Sequence, residues 1–297
     1  MKELLGVLGQ NPALTVKTEE PMSRHTSFQI GGPAEVMVEA ETADAARFAL
    51  SILKEYEVPY LILGKGSNLL VSDAGISGAV VKLNDTSCVR QDCRITAGAG
   101  IQLSKLAVFA QKEGLSGLAF SFGIPGTLGG ACMMNAGAYG GEMKDVVVKT
   151  VCLDADLNEI VLQGEEHRFG YRESVFKEMP KCLILSTEMM LVASDPALIR
   201  AEMDDYASRR REKQPLEYPS AGSVFKRPEG KFAGALIEQC GLKGKQIGGA
   251  QVSEKHAGFI VNRGGATCDD VLRLIELIQE TVMRETGVML ECEICRV

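Results

Sequence analysis

Pro59-Tyr60-Leu61-Ile62-Leu63-Gly64-Lys65-Gly66-Ser67-Asn68 is a short apolar run that opens into a glycine-rich loop. Apolar residues bounded by turn formers read as a strand, here Pro59 to Leu63. Upstream, Val36 to Glu39 reads as another strand. Thr42 can cap a helix running to about Tyr56, with Ala45, Ala49, Ile52, Leu53 and Tyr56 on one face. The three pieces form a β-α-β unit that delivers a loop at a strand end. Successive N–H groups in such a turn make a nest for an anion, and backbone without side chains lets a phosphate approach. On these residues alone, Gly64 to Asn68 reads first as a plain strand-to-loop turn and only second as a phosphate cradle. The run begins like G-x-G-x-x-G but lacks the third glycine.

Outward from this loop, a further strand is expected around Ala79 to Leu83, and Gln102 to Glu113 reads as a helix closed by Gly114. A second glycine-rich stretch follows, Gly123-Ile124-Pro125-Gly126-Thr127-Leu128-Gly129-Gly130, then Asn135-Ala136-Gly137-Ala138-Tyr139-Gly140. Val146 to Leu153, Glu159 to Leu162 and Leu183 to Val192 alternate like an antiparallel sheet. Asp195-Pro196 starts a helix to about Lys213, with proline at the first helical position. Pro215 and Pro219 mark a linker-like turn region, Phe232 to Cys240 is a short helix stopped by Gly241, and Asp269 to Thr286 is the clearest amphipathic helix, ended by Gly287. The chain closes on an expected strand, Met289 to Val297, with Glu291, Glu293 and Cys295 on one face and Cys292 and Ile294 on the other. The main boundary is expected near residue 200.

Composition narrows the function. A net charge of −7 argues against a nucleic-acid binder, which shows a basic face. The one dense basic run, Arg209-Arg210-Arg211 with Lys213, reads as an exposed helix end or as a phosphate site. No apolar run approaches the ~20 residues of a membrane span, and no basic segment followed by an apolar one suggests a secretory signal. Nine scattered cysteines fit reduced thiols in the cytosol better than a disulfide framework. Cys292-Glu293-Ile294-Cys295 has no second pair to complete four zinc ligands, and three scattered histidines make no metal site, so no metal is expected. There is no Walker-type loop, no H-E-x-x-H and no G-x-S-x-G.

Three sets of segments, in order along nearly the whole chain, resemble the UDP-N-acetylenolpyruvoylglucosamine reductases. The first is His25-Thr26-Ser27-Phe28 with Gly31-Gly32-Pro33 and Leu63-Gly64-Lys65-Gly66-Ser67-Asn68-Leu69-Leu70-Val71. The second is Gly123-Ile124-Pro125-Gly126 through Asn135 to Gly140, then Phe169-Gly170-Tyr171-Arg172-Glu173-Ser174. The third is Ser220-Ala221-Gly222-Ser223-Val224-Phe225-Lys226 with Leu290-Glu291-Cys292-Glu293-Ile294. The chain looks like the shorter form of the family, since Arg172 to Ser223 leaves little room for the tyrosine-bearing insertion of the longer form. It departs from the pattern at Cys292, where the family usually has proline, at Arg227, where some members have asparagine, and in the ending Cys295-Arg296-Val297.

The resemblance implies an α+β protein: a two-subdomain FAD-binding fold of the vanillyl-alcohol-oxidase (PCMH) type plus a C-terminal α+β substrate domain. The implied divisions are 1–84 and 85–200 for the two FAD-binding subdomains, 201–290 for the substrate domain and 291–297 for a strand returning to the FAD part. It further implies non-covalent FAD, NADPH as hydride donor, a nucleotide-sugar substrate, and a cytoplasmic protein with no nucleic-acid partner and no membrane insertion. The oligomeric state stays open, with a monomer as the default. Gly64, Lys65, Gly66, Ser67, Asn68, Gly123, Pro125, Gly126, Thr127 and Gly130 are then cofactor contacts. Arg172 becomes the cation beside the substrate carboxylate, where a planar guanidinium suits better than lysine. Glu293 acts with it, and Ser223 is the proton donor. Each has a bland counterpart: a surface arginine, a solvated carboxylate, a serine capping a turn. Tyr139, Lys213, Lys226, Arg227 and His256 are weaker candidates for the nucleotide or the substrate diphosphate. A flavin oxidase of the same fold and a non-catalytic nucleotide-sugar binding protein are the competing readings.

Overall fold

The computed structural model describes residues Met1–Val297. Seven α-helices punctuate it: α1 Lys2–Leu8, α2 Ala43–Glu55, α3 Leu103–Lys112, α4 Leu128–Met133, α5 Pro196–Lys213, α6 Ala233–Gln239 and α7 Cys268–Thr286. No helix is long and apolar enough to cross a membrane. The chain resolves into two compact units. The first comprises Met1–Thr18, Val36–Lys65 and Gly78–Arg210; the second comprises Glu19–Glu35, Gly66–Ser77 and Arg211–Val297.

In the first unit, Tyr60–Ile62 pairs in parallel with Ile76–Leu83, and the four-stranded order is Leu14–Pro21, Pro33–Ala40, Ile76–Leu83, Tyr60–Ile62. The two strands joined by α2 are therefore not neighbours; Ile76–Leu83 lies between them. Thr42 caps α2 as expected, its Oγ1 accepting from Ala45 N at 3.1 Å. The helix buries Ala45, Ala46, Ala49, Leu50 and Leu53, while Ile52 and Tyr56 stay half-buried. Small residues on that face let the helix lie close to its neighbours. Its outer side is tied to the 157–159 segment by Arg47, which donates to Leu157 O and Glu159 Oε2, both at 3.0 Å.

The alternation read over 146–192 is a five-stranded antiparallel sheet in the order Glu159–Gln163, Val147–Leu153, Leu183–Met190, Arg94–Gly98, Cys88–Gln91. The hairpin 88–98 at its edge carries too few apolar residues to stand out in the sequence; Asp92 turns it with φ 53°. The sheet's polar core residues are satisfied. His167 bonds Thr150 Oγ1 at 3.0 Å and Gly164 O at 2.9 Å, and its ring stacks on Phe169.

The second unit packs α6 and α7 with the antiparallel strands Gln246–Ile247, Ala250–Val252 and Ile260–Asn262. Its core joins Val271, Leu274, Ile275, Ile278 and Val282 of α7 to Phe28, Ile30 and Leu70 from far upstream. The closing strand is shorter than expected. Only Cys295–Arg296 forms a ladder, parallel to Leu69–Leu70. Before it, the chain touches Phe225 through one antiparallel bridge at Cys292. The segment changes partner and direction of pairing midway, so no continuous ladder runs from Met289. The expected face alternation fails with it: Ile294 is buried while Cys292 is exposed.

The N-terminus of α7 shows how tightly this unit is tied. Thr267 and Asp270 form a reciprocal capping box, Asp270 N donating to Thr267 Oγ1 at 3.0 Å and Thr267 N to Asp270 Oδ2 at 3.1 Å. The Asp73 carboxylate accepts from Cys268 N at 2.8 Å and Asp269 N at 3.2 Å. Three first-turn donors that no helical carbonyl reaches are thus satisfied. Burial alone would raise the Asp270 carboxyl; hydrogen bonds from the Gly249 and Thr267 N–H groups outweigh it and hold it below its ordinary value. A depressed carboxyl stabilises the fold above the unfolded-state pKa of about 4, and that contribution is lost as pH falls through the folded value. Asp270→Ala is expected to cost about 1 kcal/mol at pH 7. The deficit should shrink as pH drops below about 4. Urea unfolding of wild type and variant at pH 7 and at acid pH checks this; a deficit independent of pH would contradict it.

Candidate active site

Within the first unit the two glycine loops converge. A Cβ at Gly64 would lie 2.8 Å from Thr127 Oγ1 and 3.9 Å from Gly130. Thr127 is held there as the cap of α4, its Oγ1 accepting from Gly130 N at 3.5 Å. The turn is fastened to the 99–103 segment: Leu103 N donates to Gly126 O at 3.1 Å, Leu128 N to Ile101 O and Gly129 N to Ala99 O, both at 2.9 Å. Gly129 is a packing glycine, since a Cβ there would meet that of Ala99 at 3.0 Å. Gly64 is a packing glycine too, its face closed by the Thr127 hydroxyl. Neither Gly64-Lys65 nor Gly123–Gly130 contains a carboxylate, and Lys65 is exposed. A backbone-lined, acid-free surface of this kind fits the diphosphate of a dinucleotide.

In the second unit the rest of the first loop is fixed from below. Gly66 has φ 66°, and a Cβ would collide with His25 O. Gly66 O accepts from Ser27 N at 3.1 Å. This accounts for the His25-Thr26-Ser27-Phe28 stretch accompanying the loop. Ser67 and Asn68 are half-buried, and Asn68 Nδ2 donates to Glu293 O at 3.0 Å.

Arg172 stands on a two-residue turn in the first unit. Gly170 N donates to Glu173 O at 3.0 Å and Glu173 N to Gly170 O at 3.2 Å, which leaves Tyr171 and Arg172 at the tip. Arg172 has φ 58°, a left-handed conformation that costs a non-glycine residue on the order of 1 kcal/mol. The turn is anchored on both sides. Asn135, fully buried, donates to Gly170 O at 2.9 Å and to Glu142 Oε2 at 2.7 Å, and its Oδ1 accepts from Lys144 N at 2.9 Å. Ser174 Oγ donates to Met133 O at 2.7 Å, and Lys177 Nζ donates to Arg172 O. The guanidinium carbon lies 5.1 Å from the centre of the Tyr171 ring.

Ser223 and Glu293 are brought together in the second unit. Residues 224–226 run beside 291–293: Glu293 N donates to Val224 O at 2.7 Å and Lys226 N to Glu291 O at 2.9 Å. Ser223 itself bridges Phe259 on the other side. Gly222 precedes it with φ 80° and open space around it. Ser223, Glu293 and Asn68 thus share one ledge, both side-chain candidates half-buried rather than sealed.

The weaker candidates take structural partners. Tyr139 stacks on Tyr206 with ring centres 4.6 Å apart and planes 6° apart. Lys226 Nζ lies 3.4 Å from Glu291 Oε2, and Arg227 sits 4.7 Å over the Phe232 ring. His256 accepts from Gly258 N at 3.1 Å and meets Phe259 edge-on; burial pushes its pKa down. Lys213 is exposed at the end of α5. Sequence reading missed Asn135 as the hub under the Arg172 turn. It also left Arg210 unresolved within its basic run, although in the fold the Arg210 side chain lies against Gly123.

Comparison with known proteins identifies the family. Residues 34–161 match the family model of an FAD binding domain, and residues 214–297 match that of the UDP-N-acetylenolpyruvoylglucosamine reductase C-terminal domain. The UDP-N-acetylenolpyruvoylglucosamine reductase of Clostridioides difficile is 47% identical over 293 residues, 98% of this chain and 95% of that one. The enzyme of the same name from Caldanaerobacter subterraneus is 50% identical over 276 residues, 93% of this chain and 91% of that one. The crystal structure of the Thermus caldophilus reductase superposes with a TM-score of 0.81 at 35% identity, covering 95% of this chain and 98% of its own. The expected α+β flavin fold with a C-terminal α+β domain is the one these matches carry. With near-complete coverage at this identity, the chain belongs to the UDP-N-acetylenolpyruvoylglucosamine reductase family.

Proposed function

We propose that this protein uses bound FAD and NADPH to reduce the enolpyruvyl group of UDP-N-acetylenolpyruvoylglucosamine, a step of peptidoglycan precursor synthesis. The observation that carries the reading is the shared ledge: Asn68 of the glycine loop bonds the backbone of Glu293, and Glu293 bonds the backbone beside Ser223. A cofactor loop, a carboxyl group and a hydroxyl are held in one frame.

Gly64, Lys65, Gly66, Ser67, Asn68, Gly123, Pro125, Gly126, Thr127 and Gly130 are the residues assigned to FAD. When bound, FAD supplies the hydride that reaches the terminal carbon of the enolpyruvyl double bond. That carbon accepts it because electron density can move onto the substrate carboxylate as an enolate. Arg172 offers a preorganised cation for this charge, held on a turn whose backbone cost is offset by the Asn135, Ser174 and Lys177 hydrogen bonds. Glu293 is assigned to polarising the same carboxylate. Ser223 Oγ holds the proton for the other carbon; half-exposed and unsealed, it can be reached by a substrate. The finer division into subdomains 1–84 and 85–200, a substrate domain 201–290 and a tail 291–297, and a cytoplasmic monomer, belong to the same proposal.

Three outcomes are expected. The purified protein should be yellow, and acid denaturation should release FAD into the supernatant; a colourless protein that cannot be reconstituted with FAD ends this reading. Arg172→Gly and Glu293→Gln should each lower reduction of the enolpyruvyl sugar by at least ~10². Because glycine adopts φ 58° freely, the Arg172→Gly unfolding midpoint should hold or rise while turnover collapses. Near wild-type turnover in both variants would refute the assignments. Ser223→Ala should leave flavin bleaching by NADPH near normal yet slow reoxidation by the enolpyruvyl sugar by ~10²–10⁴, the usual contribution of a positioned general acid. Stopped-flow absorbance of the separate half-reactions decides this, and equal slowing of both would make the serine structural.

A further inference from the structure

The basic residues of α5 are not alike. Arg200 pairs with Asp204 at 2.9 Å and Arg209 with Asp205 at 2.7 Å, each across one exposed helical turn. Arg210 pairs with no carboxylate. Its side chain runs inward along the second glycine loop, so closely that a Cβ at Gly123 would come 3.0 Å from its Cδ, 3.8 Å from Nη1 and 3.9 Å from Nε. Burial pushes its pKa down, and Tyr139 is the one ionisable neighbour that offsets this. Arg210 is half-buried, and a guanidinium partly withdrawn from water without an anion is a net cost to the fold. Its surroundings say what would repay that cost. One turn earlier on the same helix face, Tyr206 stacks on Tyr139, so the guanidinium shares its site with an aromatic pair. On its other side lies Gly123–Gly130, a backbone-rich, acid-free loop. The planar fork of a guanidinium matches phosphate oxygens two at a time.

We propose that Arg210 is the cation for the diphosphate of a nucleotide ligand seated against Gly123–Gly130. The proposal rests on the reading that the protein binds FAD and a UDP-sugar, and either ligand carries that diphosphate. The presence of the loop and the arginine in the unit that holds most of the FAD binding domain match favours FAD.

The test uses the flavin-loaded protein and three variants: Arg210→Met, Arg210→Lys and, as control, Arg209→Met. Release of FAD on dilution is followed by flavin fluorescence, and binding of UDP is measured by calorimetry. Circular dichroism confirms folding. Arg210→Met should accelerate FAD release about 10- to 100-fold, the scale of one charge-assisted hydrogen-bonding group, while Arg209→Met behaves as wild type. Arg210→Lys should recover part of the loss, because it keeps the charge. A normal FAD release with UDP binding weakened by a similar factor also upholds the cation role and assigns the diphosphate to the sugar nucleotide. The proposal is overturned if Arg210→Met alters neither ligand, or if wild type and Arg210→Met show the same salt dependence of ligand release, which would make packing rather than charge the cause. Wild type purified without flavin counts instead against the FAD reading, and the UDP measurement then still decides Arg210.

Discussion

The backbone of Glu293 is the point on which the second unit's closing segment depends. Its N–H is committed to Val224 O at 2.7 Å, and its carbonyl accepts from Asn68 at 3.0 Å. Two residues later Cys295 N donates to Asn68 O at 2.8 Å. A single short segment is therefore stitched to the serine-bearing turn on one side and to the glycine loop on the other. The segment cannot remain one regular strand while doing both, because its two partners run in opposite senses relative to it. The break in the ladder between Cys292 and Cys295 is the structural consequence.

The first unit meets a comparable demand in another way. Arg172 must project from a turn too tight for a relaxed side-chain-bearing residue, so the left-handed backbone is imposed by its neighbours. Asn135 supplies most of the constraint. It is buried, it sits at φ 40° itself, and its amide bonds outward to Gly170, Glu142 and Lys144. An amide can donate and accept at once, which a hydrocarbon core cannot, and that is why a polar residue occupies this fully buried position. The strained backbone of Arg172 and the satisfied polar hub beneath it are two parts of one device.

Glycine plays several roles that the composition alone blends together. Gly66 is needed for its positive φ and for the approach of His25 O, Gly129 for packing against Ala99, Gly64 for packing against the Thr127 hydroxyl, and Gly123 for the passage of the Arg210 side chain.

What the chain determined by itself lies where a signal and its effect are a few residues apart. Thr42, Pro196 and Gly287 mark helix ends within one turn of where they act, and the alternation of 147–190 needs only a sheet of either neighbour order to bury one face. The motif residues Arg172, Ser223 and Glu293 were legible through the family resemblance. Tertiary structure alone decided the rest. Phe28, Ile30 and Leu70 join a core built from residues some two hundred positions later, adding to the apolar side chains that α6 and the 246–262 strands already set against α7. The final segment divides its pairing between two distant stretches, which no local periodicity encodes. Within Arg209-Arg210-Arg211, three identical side chains are indistinguishable in sequence. Helix geometry turns Arg209 towards Asp205 and sends Arg210 onto Gly123, so that one charge is neutralised and the other stays half-buried without a carboxylate.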